Sequence, residues 1–411
     1  MKRKVYIFNG TSRAANYGIG TYIDQLILCL KNTDIDFEVV YLYSKVKEVE
    51  VVEKEGYRQI SIPSIRTQGR MSSHYYTRNV AYVLKEFIPE RKDTLNIFHL
   101  NFMNSSELVT YLKKMFKCRV LLVAHYTNWS FSLLGDYAQL KYILNQKSSK
   151  RKPFEKEVIK NFKEDVRMIQ KCDHFVCVGE HTLSSFKEVG GIDTEKSSVI
   201  CNCLQDVYKN ISEEEKLAFK KEYHISPHTK ILFFAGRLDS GKGVFELVEA
   251  FKELSKLRQD VRLIMAGEGD FGRLVPATQE CCCSVTFTGR LEKEKLYRFY
   301  QMADIGIVPS MHEEFGLVAV EMMMHQLPVI VSDAGGLAEI VEDGVNGLKV
   351  PVIKEKDKRT LPIPQLVEKI TTLLDDEEYA RKLGKKGRET FLEKYELTCF
   401  RKKMLDLYLN I

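Results

Sequence analysis

A glycine-rich turn that carries two cations is the strongest candidate for chemistry in this sequence. It follows an apolar run, Ile231 to Ala235, and extends from Gly236 to Gly243, where a stretch with helical spacing begins. Such a turn places backbone N–H groups at a helix N-terminus, where an anion is stabilised. Arg237 adds a fork of donors and Lys242 a point charge. The pattern predicts a phosphate site that includes Gly236. A plain strand-to-helix connection with two surface cations is the alternative.

The same turn matches part of the pattern of nucleotide-hydrolysing P-loops, because Gly236 to Lys242 reads G-x-x-x-x-G-K. In a P-loop, a serine or threonine follows the lysine and binds magnesium. Here the next residue is Gly243, which offers no ligand. Nucleotide hydrolysis is therefore disfavoured.

Two glutamates flank a Phe-Gly pair in the second half of the chain. Glu313 precedes a predicted helix that starts near Gly316, and Glu321 lies eight positions later, inside that helix. Ionised carboxylates only accept hydrogen bonds, which suits sugar hydroxyls as donors. The pair predicts a site in which Glu313 contacts a hexose and Glu321 a ribose.

Two features of the first half could contribute to the same chemistry. The segment Asn16 to Thr21 contains Gly18 and Gly20 just after the first apolar run, where backbone could approach a ligand closely. His125 follows the apolar run Val120 to Ala124, at the strand end where open α/β sheets bind ligands. Taken alone, such a histidine is more often structural than functional.

Short apolar runs alternate with amphipathic stretches along the chain, which is typical of parallel strands covered by helices on both faces. The predicted class is therefore α/β. The pattern restarts near Ile231, and the stretch from Pro364 to Ile411 reads as consecutive helices. We expect an N-terminal domain over 1–205 and a C-terminal domain over 206–396. Predicted strands of the first domain cover 5–8, 37–43, 97–102, 120–124 and 175–178, and those of the second cover 231–235, 261–266, 285–288, 305–308 and 329–331.

Composition excludes several classes of protein. A net charge of +6 over 411 residues does not indicate nucleic-acid binding. No apolar run is long enough to span a membrane, and the N-terminus lacks the features of a signal peptide, so we expect a cytoplasmic protein. The segment 141–163 holds eight basic residues against two acidic ones. This segment predicts either a solvated helix face or peripheral contact with the anionic inner face of a membrane.

Several motifs in order resemble the GT-B retaining glycosyltransferases of glycosyltransferase family 4. They include the Gly236 turn, the Glu313 to Glu321 segment and Asp333 to Glu339; the first half is less similar. The resemblance implies two Rossmann-like domains that face each other across a cleft, with a final helix, 397–411, that crosses back to the first domain. It also implies a retaining transfer of a hexose-type sugar from a UDP- or GDP-sugar to an acceptor hydroxyl, in bacterial glycan or glycoconjugate synthesis.

The resemblance also assigns roles to individual residues. Residues that match Arg237 and Lys242 bind the donor diphosphate, those that match Glu313 and Glu321 bind the transferred sugar and the ribose, and His125 lies beside the reacting sugar. Gly18, Gly20 and Gly236 belong to the donor loops. Backbone N–H groups of Phe315, Gly316 and Leu317 face donor oxygens.

We expect no metal and no cofactor, because the cations of the turn can neutralise the leaving diphosphate. The acceptor would be a glycan, a lipid-linked molecule or a peptide. A catalytically silent binding subunit and a sugar-nucleotide epimerase of the same fold are the alternatives.

Two departures from the family pattern stand out. Tyr126 replaces an aspartate that often follows the histidine, and His325 stands where a small residue is usual, which indicates a packing or surface variation.

Overall fold

The computed structural model describes residues 2–10, 18–31, 33–65, 73–89, 91–101, 103, 106–355 and 358–411. The chain divides into two compact units, Met1–Cys203 with Leu397–Ile411, and Leu204–Glu396. Each unit has its own sheet of mainly parallel strands with connecting helices, so the predicted α/β class is confirmed.

Eight strands form the sheet of the first unit. They are β1 (Lys2–Gly10), β2 (Asp36–Ser44), β3 (Glu50–Lys54), β4 (Tyr57–Pro63), β5 (Thr94–Leu100), β6 (Cys118–Ala124), β7 (His174–Cys177) and β8 (Ser197–Val199). Their order is β3-β4-β2-β1-β5-β6-β7-β8, and only the β3–β4 pair is antiparallel. The five strands predicted for this unit correspond to β1, β2, β5, β6 and β7. Strands β3, β4 and β8 have no counterpart among the predicted strands. All side chains of β3 are exposed, so this strand lacks a buried apolar run.

Among the described residues of the first unit, seven α-helices connect these strands. They are α1 (Gly18–Leu30), α2 (Ser73–Phe87), α3 (Ser106–Met115), α4 (Asn128–Leu133), α5 (Tyr137–Asn145), α6 (Pro153–Lys171) and α7 (Glu180–Gly190). The three- and four-residue spacing of Ile23, Leu26, Ile27 and Leu30 predicts one buried stripe on α1; Ile23, Leu26 and Leu30 are buried, and Ile27 is partly buried.

The second unit has a six-stranded parallel sheet and a small hairpin. The strands are β9 (Lys230–Ala235), β10 (Val261–Ala266), β11 (Val285–Gly289), β12 (Ile305–Val308), β13 (Val329–Asp333), β14 (Leu348–Pro351), β15 (Ile353–Glu355) and β16 (Lys358–Thr360). The sheet order is β11-β10-β9-β12-β13-β14, and β15 pairs with β16. Strand β12 thus lies beside β9, although two strands separate them in the sequence. The loops that follow β9 and β12 therefore emerge side by side.

Eight α-helices complete the described part of the second unit. They are α8 (Glu213–Glu222), α9 (Val244–Leu257), α10 (Phe271–Ala277), α11 (Lys293–Met302), α12 (Leu317–Met324), α13 (Gly336–Ile340), α14 (Ile363–Asp375) and α15 (Glu377–Thr390). In the ranges that the structure describes, every helix is too short or too polar to traverse a bilayer.

The last helix, α16 (Leu397–Asn410), belongs to the first unit, as the resemblance implied. Its side chains reach α1 directly: Arg401 donates to the carbonyl of Leu28 at 3.0 Å, and the ring of Phe400 lies 5.5 Å from that of Tyr22. Residues from both ends of the chain therefore share one core.

Candidate active site

The turn between β9 and α9 is held by backbone hydrogen bonds to two neighbouring strand ends. The N–H of Gly236 donates to the carbonyl of Ala266 at 2.9 Å, at the end of β10. On the other side, the N–H of Met311 donates to the carbonyl of Gly241 at 2.9 Å, just after β12. The turn is thus fixed in place before any ligand arrives, which favours binding by a preorganised site.

Gly243 is required by its backbone conformation and by its neighbour. Its φ is +66°, in the left-handed region, and a Cβ added there would lie 1.9 Å from the carbonyl oxygen of Pro309. A serine or threonine could not fit without moving the loop after β12. The structure therefore gives a steric reason why the P-loop hydroxyl is missing, and the Gly243 N-cap provides no side chain to cap the start of α9.

Lys242 and Glu313 form an ion pair, although they lie on loops that are far apart in the sequence. Each side chain is about one-fifth exposed. Glu313 also accepts a hydrogen bond from the Ser310 hydroxyl at 2.9 Å. Burial acts to raise the pKa of Glu313, but the Lys242 ammonium and the Ser310 hydroxyl outweigh it and hold that pKa below its usual value. Glu313 is therefore an ionised acceptor beside a cation at neutral pH.

Arg237 lies in the same turn but contacts a different carboxylate. Its guanidinium is 3.2 Å from Asp239, and both side chains are more than one-third exposed. An ion pair as exposed as this one contributes little to stability, about 0–1 kcal/mol. Arg237 can therefore exchange Asp239 for an incoming anion at small cost.

Gly335 and Gly336 allow their loop to pack closely against the backbone that leads to Phe315, Gly316 and Leu317. A Cβ on Gly335 would lie 2.1 Å from the carbonyl oxygen of Glu313, and one on Gly336 would lie 2.3 Å from that of Phe315. The N–H of Gly336 donates to the Glu313 carbonyl at 2.8 Å. Because the first N–H groups of a helix have no intrahelical acceptor, those at the start of α12 are available to a ligand. The sequence motif around residue 335 contained these glycines, but their role had not been predicted.

Glu321 lies in α12 in an environment unlike that of Glu313. It is buried, and the hydroxyl of Tyr300 on α11 donates to its Oε2 at 3.0 Å. Burial raises the pKa of Glu321 to about 7, against the lowering effects of the Tyr300 hydrogen bond and of Lys293. Tyr300 had not been predicted as a site residue, because nothing in the spacing of α11 links it to Glu321.

His325 follows α12 and is buried, so it is a packing position rather than a surface one. Its ring lies 4.6 Å from that of Tyr297 and 5.7 Å from that of Tyr300. The histidine therefore supports the tyrosine that contacts Glu321.

The remaining predicted residues lie in the first unit. His125 directly follows β6, its Nε2 lies 3.1 Å from Oδ1 of Asn101, and its ring packs 4.4 Å from that of Tyr22. Gly18 and Gly20 lie in the first turn of α1, one turn before Tyr22. The preceding part of the predicted loop, residues 16 and 17, lies outside the described residues. Three of the predicted site residues, Gly18, Gly20 and His125, thus lie in the first unit. The other eight lie in the second unit.

Comparison with known proteins gives matches along most of the chain. Residues 17–206 match the model of Glycosyltransferase Family 4, and residues 215–390 match that of Glycosyl transferases group 1. A lipopolysaccharide 1,2-N-acetylglucosaminetransferase of Salmonella typhimurium is 28% identical over 43% of this chain and 47% of its own length. The chain spans 37%, 62% and 47% of the length of three of the curated relatives it matches.

Two solved structures have a similar fold along the whole chain. Sucrose-phosphate synthase from Thermosynechococcus elongatus gives a TM-score of 0.76 at 20% identity and covers 99% of this chain and 98% of its own. Anabaena HepE in complex with UDP-glucose gives a TM-score of 0.69 at 15% identity, with coverage of 99% and 100%. At these identities the likeness concerns the fold, which is the expected GT-B fold. The two family matches and this fold together show that the chain belongs to the group 1 glycosyl transferases of glycosyltransferase family 4.

Proposed function

We propose that this protein transfers a hexose-type sugar, with retention of anomeric configuration, from a UDP- or GDP-sugar to an acceptor hydroxyl. The observation that carries the proposal is the contact between Lys242 and Glu313 beside the start of α9, which has no side-chain cap. This arrangement offers a cation and helix N–H groups to a diphosphate, and a carboxylate to sugar hydroxyls, within one small volume. Family membership and the complex of the Anabaena protein with UDP-glucose support a nucleotide-sugar donor.

In the proposed reaction, the acceptor oxygen forms a bond to the anomeric carbon on the face from which the diphosphate departs. The bond from that carbon to the diphosphate oxygen breaks, and the acceptor proton moves to the leaving group. Negative charge grows on the diphosphate as this bond breaks, and in this proposal Lys242, Arg237 and the first N–H groups of α9 stabilise it. Because these groups supply positive potential, and Gly243 offers no ligand, we propose that no metal ion is needed.

Titration of the full chain with UDP-, GDP- and ADP-glucose in the presence of EDTA tests this proposal. We expect one nucleotide sugar to bind with micromolar affinity and to be hydrolysed slowly, with release of the α-anomer as the first product in NMR spectra. Tight binding without any hydrolysis or transfer would support the silent binding subunit instead. Release of an epimerised sugar would support the epimerase. Binding that requires a divalent metal would contradict metal independence.

We also propose that the acceptor is a bacterial glycan precursor carried at an anionic membrane surface. Seven lysines of the segment 141–163 are exposed: Lys141, Lys147, Lys150, Lys152, Lys156, Lys160 and Lys163. Of its two acidic residues, Glu155 is buried and accepts from the N–H of Lys152 at 2.8 Å, so the surface is more positive than the sequence suggests. Exposed Phe154 and Tyr142 stand among these lysines and add apolar contact. The Salmonella relative, which is named a lipopolysaccharide 1,2-N-acetylglucosaminetransferase, supports this class of acceptor.

Replacement of Lys156, Lys160 and Lys163 by glutamine should weaken binding to phosphatidylglycerol vesicles roughly a hundredfold, since each lysine contributes about 1 kcal/mol near such a surface. Co-sedimentation with vesicles measures this effect. The matched control replaces three exposed lysines of α15, Lys382, Lys385 and Lys386, and should bind as the wild type does. If the two triple variants bound phosphatidylglycerol vesicles equally well, membrane contact through this segment would be contradicted. The same would follow if the wild type bound phosphatidylcholine vesicles as tightly as phosphatidylglycerol vesicles.

A further inference from the structure

A buried chain of polar side chains links the C-terminal helix to His125. The hydroxyl of Tyr408, on α16, is hydrogen-bonded to Nδ1 of His99. Nε2 of His99 lies 3.2 Å from Oδ1 of Asn101, and the same oxygen lies 3.1 Å from Nε2 of His125. Tyr408, His99 and Asn101 are each at most 1% exposed. Polar groups this deeply buried must satisfy one another, so their hydrogen bonds are mutually constrained.

The order of the strands explains why these residues meet. His99 is the sixth residue of β5 and Asn101 follows that strand, while His125 follows β6, its neighbour in the sheet. On its other side β5 pairs with β1, and Nδ2 of Asn101 donates to the carbonyl of Phe8 in β1 at 3.1 Å. Three adjacent strand ends therefore converge on the Asn101 amide.

The hydrogen bond to Phe8 fixes the orientation of that amide. A carbonyl accepts only, so the Asn101 nitrogen must face Phe8 and Oδ1 must face the two imidazoles. Because Oδ1 cannot donate, Nε2 of His99 and Nε2 of His125 must each carry a proton. In neutral His99 the other nitrogen, Nδ1, then accepts from the Tyr408 hydroxyl. Nε2 of His99 also lies 3.3 Å from the Tyr22 hydroxyl, whose oxygen can accept from the same N–H. With Nε2–H on both imidazoles, every one of these hydrogen bonds is satisfied.

We propose that Tyr408, His99 and Asn101 are positioning residues that hold His125 as the Nε2–H tautomer and leave its Nδ1 to accept a hydrogen bond from a hydroxyl of the bound substrate. Nδ1 of His125 has no hydrogen-bond partner among the residues that the structure describes. The assignment of the bound hydroxyl to a sugar rests on the proposed function; the tautomer of His125 does not.

Electrostatics reinforces the geometry. Burial lowers the pKa of His125 to about 3, and burial together with the neighbouring His125 lowers that of His99 to about 3. Two imidazoles that share one oxygen also disfavour each other's charge. Both rings are therefore neutral at working pH, and a neutral ring has one donor and one acceptor.

Selective ¹⁵N labelling of histidine in the full chain tests the tautomer without any substrate. Long-range ¹H–¹⁵N spectra should show His125, assigned through its loss in His125→Gln, as Nε2–H with an unprotonated Nδ1 that does not titrate between pH 5 and pH 8. A protonated Nδ1 on His125 in the wild type would overturn the proposal. Absence of transfer with every donor would refute the proposed function but leave this result standing.

Asn101→Asp keeps the shape and the acceptor oxygen but adds a negative charge beside both imidazoles. We expect His125 to become protonated within the accessible pH range, and kcat to fall at least tenfold below the pH at which its ring titrates. If the spectra of this variant show that His125 titrates but kcat does not change with pH, the proposed role of Nδ1 as a hydrogen-bond acceptor is overturned. If Asn101 had only a structural role, Asn101→Asp would lower the free energy of unfolding but leave the pH dependence of kcat unchanged.

Tyr408→Phe removes only the hydroxyl at the far end of the chain, so it keeps the proposal testable if the buried aspartate prevents folding. We expect kcat to fall about fivefold to tenfold, the scale of one hydrogen bond, with the donor KM nearly unchanged. The matched control is Tyr6→Phe, because Tyr6 is also fully buried in the first unit and its hydroxyl has no partner among the described residues. Unchanged kcat and unchanged histidine spectra in Tyr408→Phe would overturn the contribution of α16.

Discussion

Lys242→Ala should lower kcat/KM for the nucleotide sugar by several powers of ten. Charge stabilisation at a leaving diphosphate acts mainly in the transition state, so we expect most of the loss in kcat rather than in KM. Steady-state kinetics of donor hydrolysis measures both constants. Near-normal transfer by this variant would contradict the proposed mechanism.

The same substitution leaves Glu313 largely buried with Ser310 as its remaining partner. Because the pKa of Glu313 is lowered in the folded protein, its contribution to stability is present above its unfolded pKa and is lost as the pH falls through the folded value. Lys242→Ala should therefore lower the free energy of unfolding at pH 7 by about 1–3 kcal/mol, and by progressively less as the pH falls through the folded pKa of Glu313. The double variant Lys242→Ala/Glu313→Gln should recover stability at pH 7 while transfer stays absent.

A lysine with similar surroundings provides the matched control. Lys252, on α9, is 15% exposed and pairs with Glu249 and Glu280, away from the strand-end loops. Lys252→Ala also breaks ion pairs, yet it should leave kcat/KM unchanged. A comparable loss of activity in both variants would mean that the effect of Lys242 is one of folding.

Glu321→Gln should weaken binding of the nucleotide sugar about tenfold to a hundredfold at pH 8, because a charge-assisted hydrogen bond to the ribose is replaced by a neutral one. The pKa of Glu321 is about 7, so the wild type should also lose affinity as the pH falls from 8 to 6, whereas the variant should not. Calorimetric titration with a nucleotide sugar measures this difference, since its diphosphate diester does not titrate in that range. A pH-independent affinity in the wild type would contradict the ribose contact.

In Glu321→Gln, the free energy of unfolding at pH 8 should rise, although the affinity for the nucleotide sugar falls. A carboxyl whose folded pKa is raised contributes stability that is fully present below its unfolded pKa and lost as the pH rises through about 7. Glu321→Gln removes this loss, so its free energy of unfolding should exceed that of the wild type at pH 8 by up to about 3 kcal/mol and approach it at pH 5. Urea unfolding at the two pH values measures the effect. The exposed control Glu342→Gln should change neither affinity nor stability.

Strand prediction succeeded where burial on both faces produces continuous apolar runs. Strands β9, β10 and β12 are of this kind, and the runs at 231–235, 261–266 and 305–308 predicted them within a residue. The exposed strand β3 and the hairpin of β15 and β16 have no such runs, so no periodicity revealed them. Strands β4, β8 and β14 were also missed, because their apolar runs are short or interrupted by polar residues. Charged and polar strands at an edge or outside the sheet are indistinguishable from loops in a single sequence.

The sequence by itself determined the two α/β halves, the glycine turn with Arg237 and Lys242, and the spacing of Glu313 and Glu321, because each of these is a local pattern with a local physical cause. It could not determine which strand lies beside which. That order, fixed by the packing of whole elements, brings the loop after β9 against the loop after β12 and joins Lys242 to Glu313. It likewise places Tyr300 on Glu321 and connects Tyr408 to His125 through His99 and Asn101. Which groups are charged, neutral or fixed in one tautomer depends on burial and on partners distant in sequence, and only the tertiary structure supplies these.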